Sequence, residues 1–517
     1  LADPLLASYE AVPYDSRPVG ATEIGALEAV ALLHGITAPR ADRARVLELG
    51  CASGGNLIPM AYRYPDATFV GIDLTPGQIA LGNSDVAALG LRNITLLAMS
   101  LVDITGDFGT FDYILCHGVY SWVPPDVQAA ILRVASHNLS AGGLAYISYN
   151  TLPGWHVRGM VRDMVMYHDD HSLAPHERVA RAKEFVRLLA SHGGAKPTPH
   201  RLFLLEEKAN IETQEDAYFL HEQLEPFNCP LYFSEFVRRA DSAGLRYVCE
   251  AKLTDAASIP GGWATRAAGG DAVRAQQYLD FATGRTFRRS LLCHEAATPE
   301  AEPRARAVED LFVALRAEPA MPDPADSARG GDVESFALAS GAKMTTNNPL
   351  ILAAFHLLLR VAPEAVPFRE LLQRVNDRLS AMETPGLSTT VDRSDPLAHM
   401  LLQCAAGGFI ELHPYPSPFT HTASVRPIAS AIARRRVASA YVVPSLRHAM
   451  AEVSEVERVI LADLDGTRDR SDLAARLIER VNSGELEVDG ALPPREALAQ
   501  LVDSTLARLA SVALLEA

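Results

Sequence analysis

An α/β domain built on a mainly parallel sheet, followed by mainly helical regions, is the fold class this 517-residue sequence predicts. Three observations carry it. Short apolar runs alternate with helix-period segments through the first 150 or so residues. The first of those runs opens into a glycine-rich bend. From residue 156 onward the texture shifts to long helical stretches rich in Met, Arg and His. Apolar strands that lack in–out alternation, with helices between them, belong to a parallel sheet covered on both faces.

Residues 21–34 predict a helix, with Thr22 as its cap and Ile24, Leu27, Val30 and Ala31 on one stripe. Residues 46–49 are the first strand. A helix over 56–64 follows, with Pro59 tolerated near its first turn. Strands at 68–73, 94–98, 111–116 and 144–149 then alternate with helices at 78–89 and 127–138. Residues 156–192 read as one long, mostly helical stretch, ended by the breaker at 193–197. Helices are expected at 202–208 and in parts of 215–243. Residues 300–332 mix Pro, Gly and acidic residues like a linker, though their LFVALRA centre has strand character. Beyond it, helices are expected at 350–359, 368–379, 397–405, 454–464, 472–481 and 494–509, with a short strand at 409–413. Helices with one or two short strands suggest a winged-helix-like module.

Composition bounds the function. At roughly 150 residues per domain the length allows three to four domains. The chain is 48% hydrophobic with a mean hydropathy of +0.04, which excludes a largely disordered protein. A net charge of −16 disfavours nucleic acid as a partner. The six cysteines are scattered, with no CxxC, so neither a structural metal nor a disulfide scaffold is expected. The first residues have no basic n-region or long apolar run, and without an initiator Met they read as a trimmed start rather than a signal peptide. No apolar run reaches about 18 residues, so no membrane insertion is expected and the cytoplasm is the default location.

The informative stretch is Val46-Leu47-Glu48-Leu49-Gly50-Cys51-Ala52-Ser53-Gly54-Gly55-Asn56. A strand running into glycines permits a tight turn and close approach of backbone to a ligand. A dinucleotide site would read GxGxxG around a pyrophosphate. Here Glu48 stands two residues before Gly50, and a carboxylate suits a ligand with a cationic end. On Glu48, Gly50 and Gly54 the sequence resembles the class I S-adenosylmethionine-dependent methyltransferases, whose domain is Rossmann-like. The resemblance implies S-adenosylmethionine as cofactor, with its methionine end in this loop. It implies that Asp73 binds both ribose hydroxyls, as a carboxylate can accept from two neighbouring hydroxyls. Asp103 falls at the place of an adenine-amine acceptor, and Cys116 and His117 end the fourth strand, where substrate approaches. Tyr14, Ala52, Asn56, Leu74 and Ser100 complete the expected cofactor set.

Three further segments narrow the resemblance: Tyr9 with Val12-Pro13-Tyr14-x-Ser16, the run from Cys116 to Pro124, and the run from Ser148 to Trp155. With Cys229–Phe236, Phe281–Cys293, Met344–Pro349 and Leu464–Asp469 they are similar to bacterial methyltransferases with a regulatory domain. That group includes the outer-membrane-protein lysine methyltransferases. From Pro18 onward the chain departs from the family's Pro-rich, His-containing continuation. The resemblance implies a cofactor domain at 1–160, a helical dimerisation or linking region at 161–215 and a middle regulatory domain at 216–300. A linker at 301–332 and a C-terminal substrate-recruitment domain at 333–517 follow.

The catalytic candidates are His117, Tyr120, Trp122, Tyr149, Asn150 and Trp155, clustered after strands four and five. Aromatic walls can hold an amine away from water and stabilise positive charge, while His117, Asn150 and His156 can hydrogen-bond or take a proton. The run Arg434-Arg435-Arg436, with Arg447, reads either as a grip for an acidic target or as a solvated helix face. The function expected is methylation of protein or peptide acceptors at lysine ε-amines, by a chain able to form a homodimer. The alternatives are a peptide-tailoring or small-molecule O-, S- or N-methyltransferase, and a catalytically silent cofactor-binding interaction protein.

Overall fold

A computed structural model describes residues 9–192, 198–256, 262–321, 333–382, 392–486 and 495–517. The predicted breaker at 193–197 and the 322–332 part of the predicted linker lie outside the described residues. Five strands are mutually parallel: β1 (Arg45–Leu49), β2 (Thr68–Asp73), β3 (Ile94–Ala98), β4 (Phe111–Cys116) and β5 (Leu139–Asn150). Strands β6 (Leu245–Glu250) and β7 (Phe287–His294) extend the sheet beyond β5, and β7 runs antiparallel to both neighbours. The order is β3-β2-β1-β4-β5-β7-β6. The chain therefore reverses direction across the sheet at β1, with β2 on one side and β4 on the other. Such a switch point opens a crevice at the carboxyl ends of the strands.

Both faces of the sheet are covered, as the lack of in–out alternation requires. Val46, Phe69, Tyr113 and Tyr146 face one apolar core, and Leu47, Leu49, Ile114 and Ile147 face the other. Helices α1 (Ile24–Leu33), α2 (Leu57–Arg63), α3 (Pro76–Leu89) and α4 (Pro125–His137) supply the covering layers. Glu23, not Thr22, caps α1: its carboxylate accepts from the amides of Gly25 at 3.2 Å and Ala26 at 2.7 Å. Thr22 lies in a preceding 3₁₀ turn and bonds Asn56 instead.

The expected single helical stretch at 156–192 is two helices, α5 (Gly154–His168) and α6 (Pro175–His192). Asp169, in the turn between them, takes the Arg178 guanidinium on both oxygens at 2.6–3.2 Å. With α7 (Pro199–Glu212) and α8 (Asp216–Gln223) they enclose a separate core around Val165, Val186, Leu204 and Phe219.

Residues 216–300 are mainly helical, as expected, and they also complete the sheet through β6 and β7. Between them the chain forms α10 (Ala272–Thr283), and before them α9 (Phe233–Ser242). The strand signal of β7 is masked by charge, because its sequence opens Phe-Arg-Arg-Ser. Arg288 is nonetheless fully buried. Its guanidinium bonds Asp280 at 2.8 and 2.9 Å and Glu250 at 2.6 Å, and lies 3.8 Å over the Phe233 ring. One arginine thus ties α9, α10, β6 and β7 together.

The 301–332 segment is not a simple spacer either. Strand β8 (Phe312–Leu315) is the centre of a three-stranded sheet, flanked by Val366–Pro367 and Ile410–His413. The C-terminal region packs Ala431–Arg436, Glu455–Ala462, Arg470–Asn482 and Arg495–Ser511 around Val443, Leu461, Leu477 and Leu506. A hairpin joins Val442–Pro444 to Met450–Glu452. Capping boxes at Ser454 with Glu457 and at Asp469 with Asp472 start two of these helices where the sequence reading put them, within two residues. This module packs directly against the first domain. Arg435 pairs with Asp85 at 2.8 Å and Arg436 with Asp15 at 3.4 Å, while Arg447 pairs with Glu411 at 2.6 Å. Arg435 and Arg436 stay nearly half exposed, in keeping with a solvated helix face, while pairing within the chain and not standing free for an acidic target.

Candidate active site

The loop after β1 is held by backbone and by Asp73. Gly50 and Cys51 donate to the Ile72 carbonyl at 2.9 and 3.0 Å. Gly50 has φ +76°, and a Cβ there would sit 2.5 Å from Val119 Cγ2, so both conformation and space demand glycine. Ala52, at φ +47°, donates its amide to Asp73 Oδ2 at 2.8 Å. Asp73 Oδ1 accepts from the Thr75 amide at 2.9 Å and the Thr75 hydroxyl at 2.5 Å. A carboxylate offers about four acceptor sites. Three are taken by this turn, so Asp73 holds the loop and the start of α3 while keeping limited capacity for a ligand hydroxyl.

Glu48 is 4% exposed. Its Oε1 accepts from Asn56 Nδ2 at 2.7 Å, and its Oε2 has no partner. Burial pushes the carboxyl up to about 7, with the charge of Asp73 adding to the shift and Asn56 opposing it. An unpartnered, buried carboxylate oxygen beside a glycine turn has the chemistry to receive a cationic group. The residues present thus fit a cofactor that carries an ammonium and a sulfonium.

The remaining predicted residues divide into three groups. Ser100 and Asp103 flank a short turn after β3, where Asp103 is exposed and its amide donates to the Ser100 carbonyl. Leu74 and Tyr14 are at the surface edge, with the Tyr14 carbonyl accepting from Gln78. The Cys116 side chain lies in the apolar core with Leu49 and Ile147, and burial pushes its thiol well up.

The six catalytic candidates do not share one wall, which corrects their expected grouping. Tyr149 stacks on Phe236 at 4.0 Å and Tyr120 meets both rings edge-on, all inside the core. His117 is near the opposite face of β5: its Nδ1 bonds the Tyr146 hydroxyl at 2.8 Å. Burial, with Arg289 and Lys252 nearby, lowers His117 to about 4, so it is neutral at physiological pH. The reason is the two-residue alternation of a strand, which sends Tyr146 and Tyr149 to opposite faces. Trp122 and Trp155 do meet, edge to face at 6.0 Å. Asn150 is buried, its backbone amide donating to Ser121 Oγ at 2.9 Å and its Nδ2 to Asn228 Oδ1 at 3.1 Å. His156 reaches only the Tyr232 hydroxyl, at 3.4 Å.

A second cluster joins Tyr9 and the expected Tyr14 to residues the sequence reading did not single out. Tyr9 stacks on His221 at 4.5 Å, and the Tyr14 ring lies 6.0 Å away. His221 Nδ1 contacts Glu225 Oε1 and its Nε2 donates to the Val12 carbonyl, both at 2.9 Å. Burial pushes Glu222 up to about 7 against the influence of Arg158. Burial raises the Tyr9 phenol, as do the charges of Glu225 and Asp73. The same N-terminal segment accepts from Gln78 at the Tyr14 carbonyl and from the Gly55 amide at Ser16 Oγ, so this cap lies beside the glycine loop. From α8 the chain runs on to the strand ends: Cys229 donates to the Ser121 carbonyl at 2.7 Å and Leu231 to that of Asn150 at 3.2 Å. The cap and the β4–β5 edge therefore border one region. Tyr9 was legible only as part of a motif, and His221 and Glu222 carried no local signal.

Gly55 fixes how the N-terminal segment crosses this loop. A Cβ at Gly55 would lie 2.2 Å from the Ser16 carbonyl oxygen, and the Gly55 amide donates to Ser16 Oγ at 2.8 Å. Gly55→Ala is expected to lift residues 9–18 from the domain. Limited proteolysis should then cut within that segment several times faster than in the wild type, with the rest of the digestion pattern unchanged.

Comparison with known proteins agrees with this geometry. Residues 46–143 match a methyltransferase domain, 215–294 a predicted methyltransferase regulatory domain, and 426–514 the PKMT C-terminal winged helix domain. The chain belongs to the class I S-adenosylmethionine-dependent methyltransferases with regulatory and winged-helix domains. The methyltransferase chain is 43% identical over 292 residues to the uncharacterized protein RP789 of Rickettsia prowazekii, across 55% of this chain and 52% of that protein. It thus spans about half the length of that relative. With RP028 of the same organism it shares 37% identity over 233 residues, or 45% of this chain and 93% of that protein. Among solved structures, PKMT2 from Rickettsia typhi in complex with AdoHcy matches 97% of this chain and 100% of its own, at a TM-score of 0.83 and 26% identity. The methyltransferase family's cofactor, S-adenosylmethionine, has the cationic end that Glu48 lacks. Among the described residues no group of three or more His, Cys, Asp or Glu is arranged to hold a metal ion. No described helix is long and apolar enough to cross a membrane.

Proposed function

We propose that this chain transfers the methyl group of S-adenosylmethionine to protein or peptide acceptors, at lysine ε-amines. The observation that carries the reading is the end-to-end likeness to PKMT2, which extends through the regulatory and winged-helix domains. A small acceptor alone would give those domains little to do. A net charge of −16 also suits basic acceptors.

In this reading Glu48 Oε2 receives the cofactor's ammonium, and Asp73, while holding the turn, uses its remaining acceptor capacity on the ribose. Asp103 and Ser100 border the adenine end. Bound S-adenosylmethionine supplies a methyl group on a sulfonium, and the new C–N bond forms from the acceptor nitrogen's lone pair as the C–S electrons return to sulfur. The amine must arrive neutral. Trp122, Trp155 and Asn150 on one side, with Tyr9, Tyr14 and His221 on the other, hold it in line and exclude water. Glu222, pushed up to about 7, is the carboxyl in this cluster suited to take the released proton near neutrality.

Exposed Tyr167, Leu188 and Leu202 on α5, α6 and α7 support pairing of two copies through the helical region at 161–215. Six free cysteines are in keeping with work in the reducing cytoplasm. The test is transfer from methyl-labelled cofactor into size-fractionated bacterial lysate, with mass spectrometry to locate the labelled atom. Label on lysine Nζ of a discrete protein is expected. Label confined to metabolites or short peptides would reassign the enzyme to biosynthetic tailoring, and cofactor binding without any transfer would leave an interaction protein.

A further inference from the structure

The winged-helix module reaches into the cofactor loop at one residue. His448 stands at the tip of the hairpin between Val442–Pro444 and Met450–Glu452. Its backbone is held at φ +55°, a left-handed conformation rare outside glycine. A residue kept there against that cost is constrained by its surroundings. The ring is 3% exposed, and Nε2 lies 2.8 Å from Asn56 Oδ1.

The direction of each bond follows from chemistry. The Val19 amide, which only donates, also meets that Asn56 oxygen at 3.0 Å. The atom is therefore the amide oxygen, and His448 Nε2 carries the hydrogen it shares. The other end of the Asn56 amide is then its NH₂, which donates to Glu48 Oε1 at 2.7 Å. The chain His448–Asn56–Glu48 ends on the carboxylate whose second oxygen is open.

We propose that His448 is a positioning residue, through which the C-terminal winged-helix module sets the affinity of the cofactor site by orienting Asn56 against Glu48. The proposal rests on the reading of Glu48 as the cofactor's cation receptor. With His448 in place the Asn56 amide cannot rotate without stranding a buried donor. The Val19 amide and the Thr22 hydroxyl also donate to that oxygen, at 3.0 Å each, so without His448 the amide keeps two of its three donors but is held less firmly, which weakens the Asn56 bond that favours the ionised form of Glu48. Asp73, Cys51 and Cys116 are the titratable groups whose charges couple to Glu48. Those facing His448 are Glu23 and Arg63. Burial lowers His448 to about 4, against the pull of Glu23, so it remains a neutral donor across the pH range of the test.

The test compares the full-length wild type with His448→Phe, which keeps ring volume but removes both nitrogens, and His448→Gln, which keeps a donor. Calorimetric titration with S-adenosylmethionine is expected to show a Kd about fivefold or more higher for His448→Phe, with His448→Gln recovering most of it. The pH at which affinity is half-maximal should also move upward in His448→Phe, a change that mere loss of packing does not produce. If His448→Phe does not fold, His448→Gly, which suits the positive φ, carries the same prediction. Wild-type affinity and an unmoved pH midpoint in whichever variant folds would overturn the proposal. A wild type that binds no cofactor would instead overturn the reading of Glu48 on which it stands.

Discussion

Replacing Arg288 with alanine is expected to lower the unfolding midpoint by about 10 °C, the largest effect of any single substitution considered for this fold. The substitution removes one partner of a buried ionic cluster. Asp280 and Glu250 would keep their carboxylates in the interior, and Phe233 would lose the guanidinium 3.8 Å over its ring. Stranding a buried charge costs about 3–5 kcal/mol, whereas exchanging a whole ionic group for apolar residues is often neutral. The comparison that isolates the cause is therefore Arg288→Met alone against Arg288→Met with Glu250→Gln and Asp280→Asn. The triple variant should recover much of the loss in a thermal melt followed by circular dichroism. Because β7 pairs with β5 along Ala145–Asn150, the single variant should also lose methyl transfer as the β5 end loosens. A single variant that melts with the wild type would show that the cluster does not hold the sheet edge.

Glu48→Gln is expected to bind S-adenosylmethionine about tenfold or more weakly at pH 8 and yet to melt at a higher temperature without cofactor. Removing a charge-assisted bond costs about 1.5–3 kcal/mol, and 1.4 kcal/mol is a factor of ten. The stability gain has the opposite origin. Burial raises the folded-state carboxyl to about 7, so above the unfolded-state value near 4.5 the folded protein bears a penalty that grows until pH passes 7. A carboxyl held at about 7 in place of 4.5 corresponds to roughly 3 kcal/mol at pH 8. Glutamine removes that charge. At pH 5, where Glu48 is already protonated, the variant should gain almost nothing. Equal melting of the two proteins at both pH values would mean that Glu48 bears no such penalty.

The turn proposed to hold the cofactor could be read from residue order because its parts are local. Glu48, Gly50 and Gly54 lie within one strand-to-helix turn, and Asp73 ends the neighbouring strand at a spacing set by one crossover. The acceptor half was less legible. Tyr120 and Tyr149 look like pocket walls by type and position, but the phase of β5 sends Tyr149 into the core, and apolar strands buried on both faces do not display their phase; Tyr120, in the 3₁₀ turn after β4, meets it there. The cap is assembled from positions about 210 residues apart, Tyr9 and Val12 with His221, and no local pattern announces such a meeting. Strand β7 was hidden by two arginines: the burial of Arg288 is intelligible only once Asp280 and Glu250 stand opposite it, and half-buried Arg289 pairs with Asp255. His448 belongs to the same class: an ordinary histidine in sequence, it becomes informative only beside Asn56.

The most direct measurement is calorimetric titration of the wild-type chain with S-adenosylmethionine at pH 8 and pH 6. One site per chain is expected, with affinity falling on acidification as Glu48, held at about 7, takes up its proton. Absence of binding at both pH values would contradict the assignment of the glycine loop, Glu48 and Asp73 as the cofactor site.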